Sequence, residues 1–312
     1  PVEIMELAKV HDVVIVEGIW QYHAFATWRA LHGSRIPYFV YTHGMLDPWF
    51  KRTYPLKHLK KMMYWPFADY RVLRDASAVL FTTEQERVLA RQSFQLYKAN
   101  EAVVGYGTSL PPEDDQRQRA YFLDHFPHLR SKRILLFLSR IHPKKGVDLL
   151  IDAFAAVADI DSSLHLVIAG PDQVNWKVVL ESRARALGIS HRITWPGMLN
   201  GDLKWGAFRC AELFCLPSHQ ENFGIVVAEA LSCGCLLGIS DKVNIYQEIK
   251  NANAGIILKD TTDDVIKALD RMLNLSNDDK AEMKKNALTL FDQKFNLLNT
   301  ANIFVNILKE YN

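Results

Sequence analysis

What most limits the folds open to this chain is its alternation of short apolar, β-branched runs with longer stretches of helical period. Residues 13–16, 38–41, 78–81 and 102–104 read as strands, and so do 134–138, 164–169, 193–195, 212–217, 236–239 and 255–258. Most of these runs are near-continuously apolar, which suits strands covered on both faces. Segments 84–93, 147–158, 178–187, 203–210 and 225–233 lie between them and are long enough for helices. Parallel neighbours need such crossovers, so the pattern predicts doubly wound parallel sheets. The alternation occurs twice. It is interrupted at 109–131 by Pro111-Pro112, the acidic trio Glu113-Asp114-Asp115 and mixed polar residues. The expected organisation is α/β: a first Rossmann-like unit over 1–108, a linker over 109–131 with a short helix near 116–123, and a second unit over 132–290.

Bulk properties exclude some partners. A length of 312 residues is consistent with about two domains. Lys and Arg number 37 against 35 Asp and Glu, a net charge of +2 that argues against nucleic acid as a global partner. No apolar run approaches the ~20 residues of a membrane-spanning helix. Cys210, Cys215, Cys233 and Cys235 lack zinc-site spacing and read as reduced, buried thiols, a cytoplasmic pattern. No resident metal is expected.

Two loops carry the candidate chemistry. After the 212–217 strand come Glu221-Asn222-Phe223-Gly224 and then a helix containing Glu229. Gly224 lets the backbone approach a ligand, and the first helical N–H groups are left unpaired. Ionised carboxylates only accept hydrogen bonds, so Glu221 and Glu229 suit a ligand rich in hydroxyls, with a phosphate at the helix start between them. Alone, such a glutamate pair is most often solvated. The second loop shifts that balance. The strand at 134–138 ends in Ser139-Arg140, followed by Lys144-Lys145-Gly146 and a helix. Arg140 can grip phosphate oxygens in a planar fork, and Lys145 adds a point charge. In open α/β sheets, ligands bind beyond the carboxyl ends of the strands, where the strand order reverses.

Arg140-x4-Lys145-Gly146 followed by Glu221-x7-Glu229 resembles the retaining glycosyltransferases of family 4, which have the GT-B fold of two Rossmann-like domains facing a cleft. The stretch Thr42-His43-Gly44-Met45-Leu46-Asp47-Pro48-Trp49 is similar to members that build bacterial surface polysaccharides. Residues 291–312 look like the family's terminal helix, which returns to the first domain. The resemblance implies that Arg140 and Lys145 hold and stabilise the donor diphosphate. Glu221 with the backbone of Asn222, Phe223 and Gly224 would hold the donor sugar, Glu229 the ribose, and His43 would act near the reacting centre. The base would lie near Gly197 and Met198. The implied reaction moves a sugar from a UDP- or GDP-sugar to an acceptor hydroxyl with retention, without cofactor or metal. The implied acceptor is a saccharide or a lipid-linked saccharide, reached from the cytoplasm or the inner face of the membrane.

Against the family pattern, the first domain is expected to lack its opening strand, a Gly-rich loop and two further strands. The chain is accordingly read as partial, and weak or inactive alone. Residues 49–65 hold five Lys/Arg among aromatics, with Lys57, Lys60 and Lys61 on one helical face, a pattern that suits an anionic membrane surface or a solvated basic face. Two other readings remain open: a non-catalytic nucleotide-sugar-binding module, and a nucleotide-sugar epimerase on the same fold.

Overall fold

The computed structural model describes residues 1–311. The chain divides into two compact units, one of Pro1–Tyr106 with Leu297–Asn312 and one of Gly107–Asn296.

In the first unit, β1 (Val14–Glu17), β2 (Tyr38–Tyr41), β3 (Ala78–Phe81) and β4 (Glu101–Val103) form a parallel sheet in the order β1-β2-β3-β4. Its helices are α1 (Val2–Ala8), α2 (Tyr22–Leu31), α3 (Trp49–Thr53), α4 (Pro55–Tyr64), α5 (Asp69–Asp75) and α6 (Glu84–Ala90). Side chains alternate across the pleat, so each central strand feeds two cores. Val40, Val79 and Phe81 pack with Trp28, Leu31, Trp65 and Val72 on one face. Phe39, Ala78, Leu80 and Val104 form the other face. β2 and β3 thus end in backbone held from both sides, and the loops that follow them start from fixed positions.

The second unit holds α7 (Asp115–His125), β5 (Arg133–Leu138), α8 (Val147–Val157), β6 (Leu164–Ala169), α9 (Lys177–Ala186), β7 (Ile193–Gly197), α10 (Gly201–Cys210) and β8 (Ala211–Leu216). It continues through α11 (Ile225–Ser232), β9 (Leu236–Ser240), α12 (Tyr246–Asn251), β10 (Ile256–Leu258), α13 (Thr262–Leu273) and α14 (Asn277–Leu290). All six strands are parallel, in the order β10-β9-β8-β5-β6-β7. The order reverses between β5 and β8, the position at which open α/β sheets bind ligands beyond the carboxyl ends of their strands. The stretch 109–131 carries α7, which lies against α10 so closely that a Cβ on Gly206 would sit 2.2 Å from the Gln118 carbonyl oxygen.

The terminal segment is broken where one continuous helix was expected. A π-helical turn, Phe291–Phe295, is followed by extended backbone at Asn296 (φ −68°, ψ 131°). There the Thr108 N–H donates to the Phe295 carbonyl at 2.9 Å. α15 (Leu297–Lys309) then covers the first unit's sheet with Phe304, Ile307 and Leu308, joined by Tyr311.

Candidate active site

The Arg/Lys loop and the first-glutamate loop leave adjacent strands, β5 and β8, and the structure presses them together. Gly146 sits at φ 67°, and a Cβ there would lie 2.2 Å from the Pro217 carbonyl oxygen. Only glycine meets both conditions. The His219 N–H donates to the Lys144 carbonyl at 2.9 Å, stitching the two loops directly. A 3₁₀ turn over Pro143–Lys145 aims Lys145 inward, and its side chain is 4% exposed. A lysine this buried requires a partner. It forms an ion pair with the Glu221 carboxylate.

Glu221 is fixed by its backbone. Its N–H donates to the Lys242 carbonyl at 2.9 Å, and its own carbonyl accepts from Asn244 N–H at 3.1 Å. The loop following β9 thus braces the loop following β8. Asn244 also approaches Asn222, Nδ2 to Oδ1 at 3.4 Å. Phe223 is buried, edge-on to Phe295 at 5.6 Å between centroids. Gly224 caps α11 at φ 77°, and no side chain caps this helix start. The Val227 N–H donates to the Gly224 carbonyl at 2.7 Å, and the N–H groups of Ile225 and Val226, which no side chain caps, suit an anionic group.

Glu229 lies within α11 and receives Lys204 Nζ at 2.7 Å from α10. Lys204 also sits over the Trp205 ring, 4.3 Å from its centroid. Sequence reasoning missed Lys204, because nothing local links it to a glutamate 25 residues away. Sequence reasoning also missed Asn244, which a fold-level pairing of loops brings in. Arg140 is exposed and donates to Gln173 at 3.3 Å, so it does not join the Lys145–Glu221 pair. Gly197 and Met198 are exposed at the end of edge strand β7, beyond β6, and the Gly197 carbonyl accepts from Gly170 N–H at 2.8 Å.

In the first unit, His43 follows β2 with a left-handed backbone, φ 47°. Its ring stacks on Tyr41 at 5.4 Å and 11°, and Nε2 lies 2.5 Å from Glu17 Oε2. Burial first, then the Glu17 carboxylate, pushes the Tyr41 hydroxyl well above the usual range, so it remains a neutral donor.

Among the described residues, no three His, Cys, Asp or Glu side chains group as a metal site. The four cysteines are free. Burial pushes the Cys215 thiol up to about 12 and Cys233 up to about 11. No helix among the described residues is long and apolar enough to cross a membrane.

Comparison with known proteins bears on this geometry. The profile of the family described as "Glycosyl transferases group 1" matches residues 123–289, and that of the "Glycosyl transferase 4-like domain" matches 5–107. The alpha-D-kanosaminyltransferase of Streptomyces kanamyceticus is 27% identical over 234 residues, covering 74% of this chain and 60% of that protein. A D-inositol 3-phosphate glycosyltransferase of Mycolicibacterium gilvum is 32% identical over 176 residues, 53% of this chain and 37% of that protein. The chain's match thus spans about half the length of such relatives. The Anabaena protein HepE, solved in complex with UDP and glucose, superposes with a TM-score of 0.80 at 16% identity. That superposition covers 99% of this chain and 80% of HepE. The sucrose-phosphate synthase of Thermosynechococcus elongatus gives a TM-score of 0.76 at 17% identity, over 96% and 73% of the two chains. With two parallel-sheet Rossmann-like units, and with a family profile matching more than half its length, the chain belongs to the group 1 glycosyltransferases of GT-B fold.

Proposed function

We propose that this chain is the sugar-transferring part of a retaining, metal-independent hexosyltransferase, moving a sugar from a nucleotide-diphosphate sugar to an acceptor hydroxyl. The observation that carries this reading is the Lys145–Glu221 pair at the β5/β8 reversal, with Glu229 in the helix that follows, α11. In a sugar nucleotide the diphosphate lies between the sugar and the ribose, and this reading sets Lys145 and the start of α11 at the diphosphate, Glu221 at the sugar hydroxyls and Glu229 at the ribose hydroxyls. Lys145, with Arg140 swinging from Gln173, neutralises the leaving diphosphate, the role a metal fills elsewhere. Glu221 and the backbone of Asn222, Phe223 and Gly224 orient the sugar, Glu229 takes the ribose, and Gly197 and Met198 flank the base. His43 acts on the donor sugar. The acceptor hydroxyl attacks from the face that the diphosphate leaves, and its proton passes to a leaving-group oxygen. Positioning and charge stabilisation supply most of the acceleration. HepE was solved with UDP and with UDP-glucose, which makes UDP the first base to test, ahead of GDP.

The acceptor is a saccharide or lipid-linked saccharide, in bacterial surface polysaccharide or glycolipid synthesis on the cytoplasmic side. Of the segments expected from sequence, 1–108 with 291–312 would take the acceptor, and 132–290 the donor. α4 supports contact with an anionic membrane. Leu56 (82% exposed) and Met63 (73%) stand out from it beside exposed Lys57 and Lys60. From Trp49 to Phe67 there is no acidic residue.

The deciding experiment is calorimetric titration of the chain with UDP, GDP and ADP in the absence of metal. UDP should bind, and Lys145→Ala and Glu229→Ala should each weaken it about tenfold or more, the size of one lost charged hydrogen bond. A folded chain that binds none of the three would overturn the donor-site assignment. Retention is checked by NMR of the product's anomeric proton.

A further inference from the structure

The loop that presents His43 is held by a single buried carboxylate on another element. α6 opens with Thr83 as its cap, and the Glu86 N–H donates to Thr83 Oγ1 at 2.9 Å. In a reciprocal capping box, the glutamate three residues into the helix would return its carboxylate to the N–H of the cap residue. Glu86 does something else. Its side chain turns away from solvent, leaving the residue 3% exposed. Oε2 accepts from Thr82 N–H at 2.8 Å and from Thr82 Oγ1 at 2.7 Å. Oε1 reaches across to the end of β2, accepting from Thr42 Oγ1 at 2.8 Å and Gly44 N–H at 2.5 Å. Four donors thus converge on the two oxygens, the number an ionised carboxylate accommodates.

Two of those donors are the residues on either side of His43. This explains how His43 keeps a left-handed backbone that a residue with a Cβ adopts only when its surroundings impose it. We propose that Glu86 is a positioning residue: it clamps Thr42 and Gly44, so that His43 stands off the end of β2 with its ring stacked on Tyr41. Parallel pairing of β2 with β3 places the Thr42 and Thr82 ends side by side, within reach of one carboxylate. The functional part of this inference rests on the reading of His43 as the group acting on the donor sugar.

The test uses Glu86→Gln. An amide keeps one acceptor oxygen; its NH2 can donate to the threonine hydroxyl on the other side, but the backbone N–H there, Thr82 or Gly44, then faces a donor, so one strand end loses its backbone tie. By NMR with labelled histidine and tyrosine, the nuclear Overhauser contact between the His43 and Tyr41 rings should be lost, while the rest of the spectrum keeps its dispersion. Thr42→Val removes one tie alone and should weaken that contact without unfolding the chain. An unchanged ring contact in both folded variants overturns the clamp. If Glu86→Gln does not fold, Thr42→Val decides alone by the same contact. In release of UDP from UDP-glucose, Glu86→Gln should lower kcat about 100-fold with KM within about threefold, the pattern of a misplaced group. Combining it with His43→Ala should add nothing to His43→Ala alone. Full activity in His43→Ala would remove the reading of His43 while leaving the clamp to stand or fall on the ring contact.

Discussion

At the residue scale, two of the candidate site's cations are paired with its carboxylates, Lys145 with Glu221 and Lys204 with Glu229, while Arg140 bonds the neutral Gln173. On the proposed reading, donor binding exchanges those partners. Glu221→Gln should therefore leave UDP affinity intact or raise it, because Lys145 is released to the diphosphate, while turnover of UDP-glucose falls at least tenfold. Parallel calorimetry and rate measurements check this, and a loss of UDP binding in Glu221→Gln would show that the pair acts as one rigid unit. Gly146→Ala tests the joint between the two loops. Its Cβ would meet the Pro217 carbonyl oxygen at 2.2 Å, at φ 67°. The left-handed strain alone costs about 1–3 kcal/mol, so a lowered midpoint in thermal or urea unfolding is expected. The local chemistry of both loops was readable in sequence: a glycine after basic residues, and a glycine before an apolar helix. Lys204 and Glu86 were not readable, because what each does depends on an element remote in sequence that only packing brings near.

At the element scale, strand positions follow from composition more closely than helix positions do. β2, β3 and β6 match the apolar runs residue for residue, since a buried parallel strand admits almost nothing but β-branched and large apolar side chains. α2, α5 and α12 were not read from sequence. None has a side-chain cap, and α2 buries six of its ten residues, so polar periodicity is weak. The break at Asn296 was also invisible, because the helical pattern is sustained on both sides. α4 carries its own prediction. Its Leu56, Leu59 and Met63 face water beside exposed Lys57 and Lys60. Each lysine near an anionic surface contributes roughly 1 kcal/mol. Lys57→Glu with Lys60→Glu should abolish co-sedimentation with vesicles containing phosphatidylglycerol and leave UDP binding unchanged. Equal binding to neutral vesicles, or no binding by the unaltered chain, would refute the membrane role.

At the scale of the whole molecule, stability should depend on pH through His165. This residue is the second of β6 in the second sheet, and burial first, then the positive charge of His128, Lys132, Arg192 and His191, lowers its imidazole to about 4. Its folded value is below the unfolded one of about 6.5, so the unfolded chain binds more protons between those values. Stability is therefore greatest above pH 6.5 and falls as the pH drops toward 4. The melting temperature of the second unit should decline between pH 7 and pH 5, and His165→Gln should flatten that decline; an unaltered slope would place the effect elsewhere. The sequence by itself determined the class of fold and the residue types in the two loops. Apolar runs of strand length separated by helices leave few arrangements other than stacked parallel sheets, and glycines mark where backbone must come close. Which charges meet was decided only by the tertiary structure. Strand order sets β5 beside β8 rather than beside β7, and that adjacency pairs Lys145 with Glu221, residues 76 apart in the chain. Periodicity carries information about the faces of single elements, whereas an ion pair between two loops depends on the order in which strands assemble.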